Sequence, residues 1–201
     1  KADVVIENFK AGALARYGLD ETSLRSLAPG LIYCSITGFG QSGPDSERPG
    51  YDFVIQAMSG LMSITGDASG APQKVGVAVS DLMTGLYAVN AILAALRQRD
   101  ATGLGQHIDM ALFDCQLAGL ANQAANYLAS GQAPTRLGNA HPNIVPYQTF
   151  ATADGTIVVA AGNDAQFRRL AHALELPELV DDARFASNAS RLAHRRALSA
   201  H

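Results

Sequence analysis

Residues 4–36 decide the fold, and they read VVIENFKAGALARYGLDETSLRSLAPGLIYCSI. The continuous apolar run Val4-Val5-Ile6 is typical of a strand that is buried on both faces. Asp20 fits the N-cap of a helix over residues 21–27, and a second buried strand follows from Leu31 to Ile36. A strand, a helix and a strand in this order form a βαβ unit, in which the two strands are parallel. The opening segment therefore predicts an α/β fold.

The rest of the chain divides into two parts near residue 135. Residues 82–96 are apolar nearly all round, which predicts a central, buried helix that is too short to span a bilayer. A strand is expected over residues 106–110, before a long alanine-rich helix. We predict a Rossmann-like large-domain portion over residues 1–135 and the start of a smaller α+β domain over residues 136–201. Because neither end of the chain looks finished, we expect a fragment of a longer protein.

The composition excludes several classes of protein. Hydrophobic residues make up 48% and charged residues only 16%, which is typical of a folded domain rather than a disordered one. A net charge of −3 argues against a nucleic-acid interface, which needs a concentrated basic face. The two cysteines and the five histidines show no metal-ligand spacing. We therefore expect a cytoplasmic protein with no metal, no nucleic-acid partner and no membrane association.

One glycine motif is misleading. Residues 38–43 read GFGQSG, which matches the G-x-G-x-x-G pattern of dinucleotide sites and directly follows a predicted strand. Such a site requires the loop to open a helix whose N-terminus faces the pyrophosphate. Here Pro44 and a polar stretch to Pro49-Gly50 follow instead. We interpret residues 38–43 as a mobile loop that can act as a lid.

Asp81 directly precedes the apolar helix and allows two interpretations. As an N-cap, its side chain would satisfy free backbone N–H groups and stabilise the helix by about 1 kcal/mol. As a nucleophile, it would be held ionised by the helix dipole and would attack an activated acyl carbon such as a thioester. Gly76, Ala78 and Gly85 are small enough to leave room for a ligand nearby. The spacing alone does not choose between the two interpretations.

Several motifs resemble those of the class III CoA-transferases, the CaiB/BaiF-like family that includes formyl-CoA transferases and alpha-methylacyl-CoA racemases. The first runs from Asp3 to Lys10 and continues to Leu19, and it is similar to the D-V-x-x-E-N-[FY]-[KR]-P-G…L-G signature. One departure is Ala11, which stands where the family usually has proline. The resemblance covers nearly the whole chain, in the family's order. The further motifs lie at residues 38–44, 50–52, 80–85, 102–106 and 136–147.

The resemblance implies an acyl-CoA:carboxylate CoA-transferase in which Asp81 is the catalytic carboxylate that becomes acylated. Acyl-CoA and a small carboxylic acid would be the substrates, with no tightly bound cofactor. The family also implies an interlocked homodimer, in which each subunit threads a hole in the other. The residues that it implies for the coenzyme A site are Asn8, Phe9, Lys10, Arg16, Pro49, Gly50, Tyr51 and Asp52, with Arg16 reaching the phosphates.

Two alternatives to CoA transfer remain open. The racemases of the family carry a histidine where this chain has Tyr51, and that histidine shuttles a proton with the aspartate. Because an unperturbed phenol titrates near pH ~10, tyrosine is a poor base at neutral pH, which favours the transferase over the racemase. The other alternative is a catalytically silent coenzyme A-binding or dimerisation module. In that module, replacing Asp81 would change only stability.

Overall fold

The computed structural model describes residues 2–201, and its first part is built on a three-stranded parallel sheet. The strands are β1 (Val4–Glu7), β2 (Ile32–Thr37) and β3 (His107–Ala111), in the spatial order β1-β2-β3. Strand β2 is almost entirely buried, because it has a neighbour on each side. The predicted parallel βαβ arrangement and the α/β class are confirmed.

Helices surround this sheet, and their ends follow local signals. Helix α1 (Glu21–Leu27) begins as predicted at Asp20, whose side chain accepts a hydrogen bond from the backbone N–H of Ser23 at 3.0 Å. The predicted long alanine-rich helix is instead two helices, because Ala121 adopts a φ of 46° at their junction. The other elements are a short 3-10 helix (Ala15–Tyr17), α2 (Asp52–Met58), α3 (Leu61–Ile64), α4 (Val79–Thr102), α5 (Leu112–Gly119) and α6 (Ala121–Ser130).

Helix α4 does not match the prediction of a buried central helix. Its buried residues are small and recur along one stripe, which packs against α5 and the sheet. Leu82, Leu86 and Leu93 are each at least 60% exposed in the described chain. An apolar pattern all round the helix does not encode which side meets the sheet, and the small side chains permit the closer approach. The expectation that this segment is too short to span a bilayer is wrong for the helix as a whole, because α4 has 24 residues and by length and composition alone would be able to cross a membrane.

Strand β1 is also less buried than its apolar run predicts. Ile6 is 59% exposed, so the expectation of burial on both faces is wrong for this residue. The reason is the position of β1 at the edge of the described sheet, with β2 as its only strand neighbour there.

The chain divides into two compact units, one of residues 2–66 and 71–136, the other of residues 67–70 and 137–201. The second unit contains the antiparallel strands β4 (Tyr147–Ala151) and β5 (Thr156–Ala160). The helices of this unit are α7 (Asp164–Ala173), α8 (Glu178–Asp181), α9 (Asn188–Ala193) and α10 (Arg195–Leu198).

A fully buried arginine lies in the core of the second unit. The Nε group of Arg191 donates to the carbonyl of Val145 at 2.8 Å, and Nη1 donates to the carbonyl of Phe185 at 2.9 Å. Nη2 donates to the Asp164 carboxylate at 2.8 Å, and the guanidinium lies over the Phe167 ring at 4.5 Å. Each of the three guanidinium nitrogens of this buried cation therefore has an acceptor. The surrounding apolar core comprises Val145, Phe167, Ala171, Leu179, Phe185 and Leu198.

We predict that Arg191→Ala destabilises the second unit by roughly 2–5 kcal/mol, because two buried carbonyls lose their donor and a cavity opens. Thermal and urea unfolding followed by circular dichroism would measure the loss. Arg196→Ala, which removes an exposed arginine from the neighbouring helix, is the matched control and should change little. Equal unfolding temperatures for the two variants would contradict the structural role of Arg191.

Candidate active site

A cleft of about 730 Å³ opens beyond the carboxyl ends of β1 and β2. In α/β sheets this edge is where ligands bind, since the loops and helix N-termini that follow the strands converge there. Three segments supply most of the lining: the turn after β1, the loop before α2 and the first turns of α4. The lining residues are Asn8, Phe9, Lys10, Ala11, Ile36, Thr37, Gly38, Ser46, Glu47, Arg48, Pro49, Gly50, Tyr51, Asp52, Asp81, Thr84, Gly85 and Leu112.

The cleft brings together all of the predicted site residues except Arg16. Asn8, Phe9 and Lys10 come from one wall, residues 49–52 come from another, and Asp81 comes from α4. Arg16 lies in the short 3-10 helix, where its guanidinium covers the ring of Tyr17 at 4.7 Å. It is not among the lining residues of the cleft, and its contact with coenzyme phosphates stays a prediction.

Asp81 is not the N-cap of its helix, so that interpretation is wrong. Ala78 occupies the N-cap position of α4, and Asp81 is the third helical residue. Within residues 2–201, no hydrogen bond to the Asp81 carboxylate is found. Because its oxygens are not used to satisfy the helix, they are available to a ligand in the cleft.

The helix is capped instead by Asp52, a residue 28 positions earlier in the chain. One oxygen of the Asp52 carboxylate accepts from the backbone N–H of Ser80 at 2.8 Å, and the other accepts from the Gln56 amide at 2.7 Å. Gln56 is fully buried, and its own oxygen accepts from the backbone N–H of Val75 at 2.8 Å. Asp52 thus connects α2 to the first turn of α4. Sequence reasoning placed Asp52 in the coenzyme wall only, because no local pattern signals a cap from so far away.

Buried hydroxyl groups hold the same turn of α4 against α5. The Ser80 hydroxyl donates to the Gln116 side-chain oxygen at 2.8 Å, and both side chains are buried. The hydroxyl of Thr84, which lines the cleft, donates to the carbonyl of Ser80 at 2.7 Å. Because these polar groups are satisfied in the interior, the backbone beneath Asp81 is held in one position.

The environment of Asp81 raises its pKa above the ordinary value. Partial burial is the largest cause, because it penalises the charged form, and the negative charge of Asp52 adds to it. This direction is opposite to the expectation that the helix N-terminus would favour the ionised form. Burial and the Asp52 charge act against the ionised form, and the Ser80 N–H donates to Asp52 rather than to Asp81. The Asp81 carboxylate is therefore less stable as an anion than an ordinary aspartate.

Two glycines bring the walls of the cleft together. Gly38 follows β2 and Gly50 precedes α2, and a Cβ atom added to Gly50 would lie 2.1 Å from the Cα of Gly38. Such a contact is possible only without side chains. The residues 38–43 between these points open no helix, since the next helix after β2 is α2. This confirms that the G-x-G-x-x-G match is not a dinucleotide fingerprint.

Comparison with known proteins matches the whole chain, residues 1–201, to the model of CoA-transferase family III. A succinate–glutarate CoA-transferase of Agrobacterium fabrum is 60% identical over 194 residues, which cover 96% of this chain and 48% of that protein. The human succinyl-CoA:glutarate CoA-transferase is 50% identical over 196 residues, covering 98% of this chain and 45% of that protein. The chain spans about half the length of these curated relatives.

The fold has a close counterpart among solved structures. A CaiB/BaiF family protein from Brucella suis superposes with a TM-score of 0.81 at 60% identity, over 99% of this chain and 53% of that one. The mixed architecture of helices and strands in this chain is therefore that of the CaiB/BaiF structures.

We predict that Asp52→Asn lowers the pKa of Asp81, because it removes the nearby negative charge and leaves the larger effect of burial in place. The pKa would stay above its ordinary value. A pH titration of the ¹³C-labelled Asp81 carboxyl group by NMR would measure the shift. Asp114→Asn, in the first turn of α5, removes a charge that does not act on Asp81 and is the control. An unchanged pKa in Asp52→Asn would show that burial alone raises it.

Proposed function

Because this chain belongs to CoA-transferase family III, we propose that the protein containing it moves coenzyme A from an acyl-CoA to a free carboxylic acid through Asp81. The observation that carries the proposal is the state of Asp81 in the cleft. Its carboxylate has no hydrogen-bond donor among residues 2–201, its pKa is raised, and the residues expected for coenzyme A, except Arg16, line the same cleft.

Covalent catalysis divides the exchange into steps that a carboxylate can perform. An oxygen of Asp81 attacks the thioester carbonyl carbon, the C–S bond breaks, and coenzyme A leaves as a thiolate with a mixed anhydride on the enzyme. The thiolate attacks the Asp81 carbonyl, which releases the donor acid and leaves an aspartyl thioester. The acceptor carboxylate attacks the carbonyl carbon of this thioester, the C–S bond breaks, and coenzyme A leaves again as a thiolate with a second mixed anhydride on the enzyme. The thiolate then attacks the acceptor carbonyl carbon, which forms the new acyl-CoA and releases the Asp81 carboxylate.

The walls of the cleft suit a coenzyme A thioester. Phe9 and Tyr51 are 58% and 74% exposed, so both offer aromatic surface to a ligand. Lys10 adds a cation that suits the coenzyme phosphates. The backbone N–H of Phe9 donates to the Glu7 carboxylate at 2.8 Å, which shapes the turn that presents Asn8 and Lys10. These features support the assignment of both walls, that of residues 8–10 and that of residues 49–52, to the coenzyme.

We infer that the acids exchanged are short dicarboxylates. The printed names of the two relatives above specify succinate, succinyl-CoA and glutarate. Identities of 60% and 50% over nearly the whole chain support carrying this class of acid to the present protein. The interlocked homodimer is part of the same proposal, and the exposed leucines of α4 support an apolar contact surface.

The test uses the full-length protein, succinyl-CoA and ¹³C-labelled glutarate, with mass spectrometry of the coenzyme A esters. Label enters the ester with the wild type, and Asp81→Ala lowers the rate by at least roughly 10³-fold, because the nucleophile is lost. Coenzyme A still binds to the variant, as calorimetry would show. Asp114→Ala, which removes a carboxylate outside the cleft lining, keeps the exchange.

Other outcomes would contradict this function. Full exchange in Asp81→Ala would exclude the aspartyl mechanism. Solvent deuterium at the α-carbon without exchange would identify a racemase. Binding of coenzyme A with neither reaction would identify a binding module.

A further inference from the structure

A dicarboxylate substrate, as in the proposed function on which this inference rests, has a second carboxylate that needs a cationic partner in the cleft. The lining includes three carboxylates, those of Glu47, Asp52 and Asp81, and two cations, Lys10 and Arg48. A dicarboxylic acid brings one carboxylate to Asp81 and must place its second carboxylate nearby. Taking that second charge out of water without a cation is costly. The two cations of the lining are therefore the candidates to receive it.

Arg48 is held in place but keeps most of its donors free. Its Nη1 group donates to Asp45 at 2.9 Å, and its Nη2 group makes a weak contact with the sulfur of Met58 at 3.7 Å. The guanidinium lies over the Phe39 ring at 5.4 Å, and Phe39 packs on Phe113 with a centroid distance of 5.7 Å. A guanidinium has five N–H donors, so the others remain available to a ligand.

The ion pair between Arg48 and Asp45 does not prevent ligand binding. Their side chains are 53% and 43% exposed, so the pair is screened by solvent and contributes little. A substrate carboxylate can join or replace Asp45 at the guanidinium without breaking a buried contact. The stacked Phe39 keeps the planar group oriented while this happens.

Both Arg48 and Lys10 line the cleft, and chemistry favours Arg48. Arg48 lies four positions before Asp52, which is hydrogen-bonded to the residue beside Asp81. Four residues of chain span at most about 14 Å. A guanidinium also binds a carboxylate through two parallel hydrogen bonds, whereas an ammonium acts as a point charge.

We propose that Arg48 binds the non-reacting carboxylate of the dicarboxylic substrate while the reacting carboxyl group meets Asp81. Arg48 is thereby the residue that selects dicarboxylic over monocarboxylic acids. Phe39 and Asp45, which contact the Arg48 guanidinium, both lie in the loop of residues 38–50. This loop therefore takes part in substrate selection and also forms a wall of the cleft.

The test compares two measurements on the full-length protein and its Arg48→Gln variant. Arg48→Gln lowers kcat/KM for glutarate at least about tenfold, because a charge-assisted hydrogen bond is lost. The Kd of free coenzyme A, which carries the phosphates but no acyl carboxylate, stays within about twofold by calorimetry. Arg48→Lys keeps the charge but not the paired hydrogen bonds, so it gives an intermediate kcat/KM. Arg97→Gln, an exposed arginine of α4 outside the cleft lining, leaves both values unchanged.

Three results would overturn the role of Arg48. In the first, coenzyme A binding weakens as much as kcat/KM for glutarate, which would place Arg48 at the coenzyme phosphates. In the second, neither value changes in Arg48→Gln. In the third, Arg48→Gln fails to fold and Arg48→Lys retains the full wild-type kcat/KM for glutarate. Failure of the proposed function looks different, since the wild type would then transfer no label from glutarate, or Asp81→Ala would keep full exchange.

Discussion

The hydrogen bond between the backbone N–H of Ser80 and the carboxylate of Asp52 is the contact on which the cleft depends. It ties the start of α2 to the start of α4, and the second oxygen of Asp52 extends the link to the buried Gln56. Without this contact, the first turn of α4 would lose its cap and Asp81 would lose a defined position. The hydrogen bonds of Ser80 and Thr84 then fix the same turn from the side of the interior.

The two aspartates of the cleft have different tasks because their hydrogen bonds differ. Asp52 accepts hydrogen bonds with both oxygens and serves the architecture, while Asp81 is left without a donor among residues 2–201. Partial burial and, to a lesser extent, the negative charge of Asp52 raise the pKa of Asp81.

The two units differ in how their interiors are built. In the second unit, the Arg191 side chain donates hydrogen bonds to two buried carbonyls and to the Asp164 carboxylate. These hydrogen bonds connect segments that pack around the apolar cluster. In the first unit, α4 leaves Leu82, Leu86 and Leu93 exposed. The chain spans about half the length of the curated relatives that it matches, and these leucines are exposed in the part of the chain that the structure describes.

The sequence by itself determined the features that depend on local chemistry. Two apolar runs on either side of the helix capped by Asp20 predicted the parallel strands, because strand burial and N-capping leave signals within a few residues. Family motifs located Asp81 and the two walls of the cleft at Asn8 to Lys10 and at residues 49–52. The misleading glycine motif was also recognised locally, since no helix follows it.

Only the tertiary structure decided what each of these residues does beside the others. The side chain that caps α4 belongs to Asp52, 28 residues before the Ser80 N–H that it accepts from. The sequence around Asp81 therefore gave no sign that Asp81 does not cap the helix. The raised pKa of Asp81 comes first from burial and second from the negative charge of Asp52, and both arise only when the chain folds. That Arg48 lines the cleft emerged only from the folded chain, and the burial of α4 followed from which stripe of the helix met the sheet. Each is a contact between distant segments, whose energy depends on distance in space rather than along the chain.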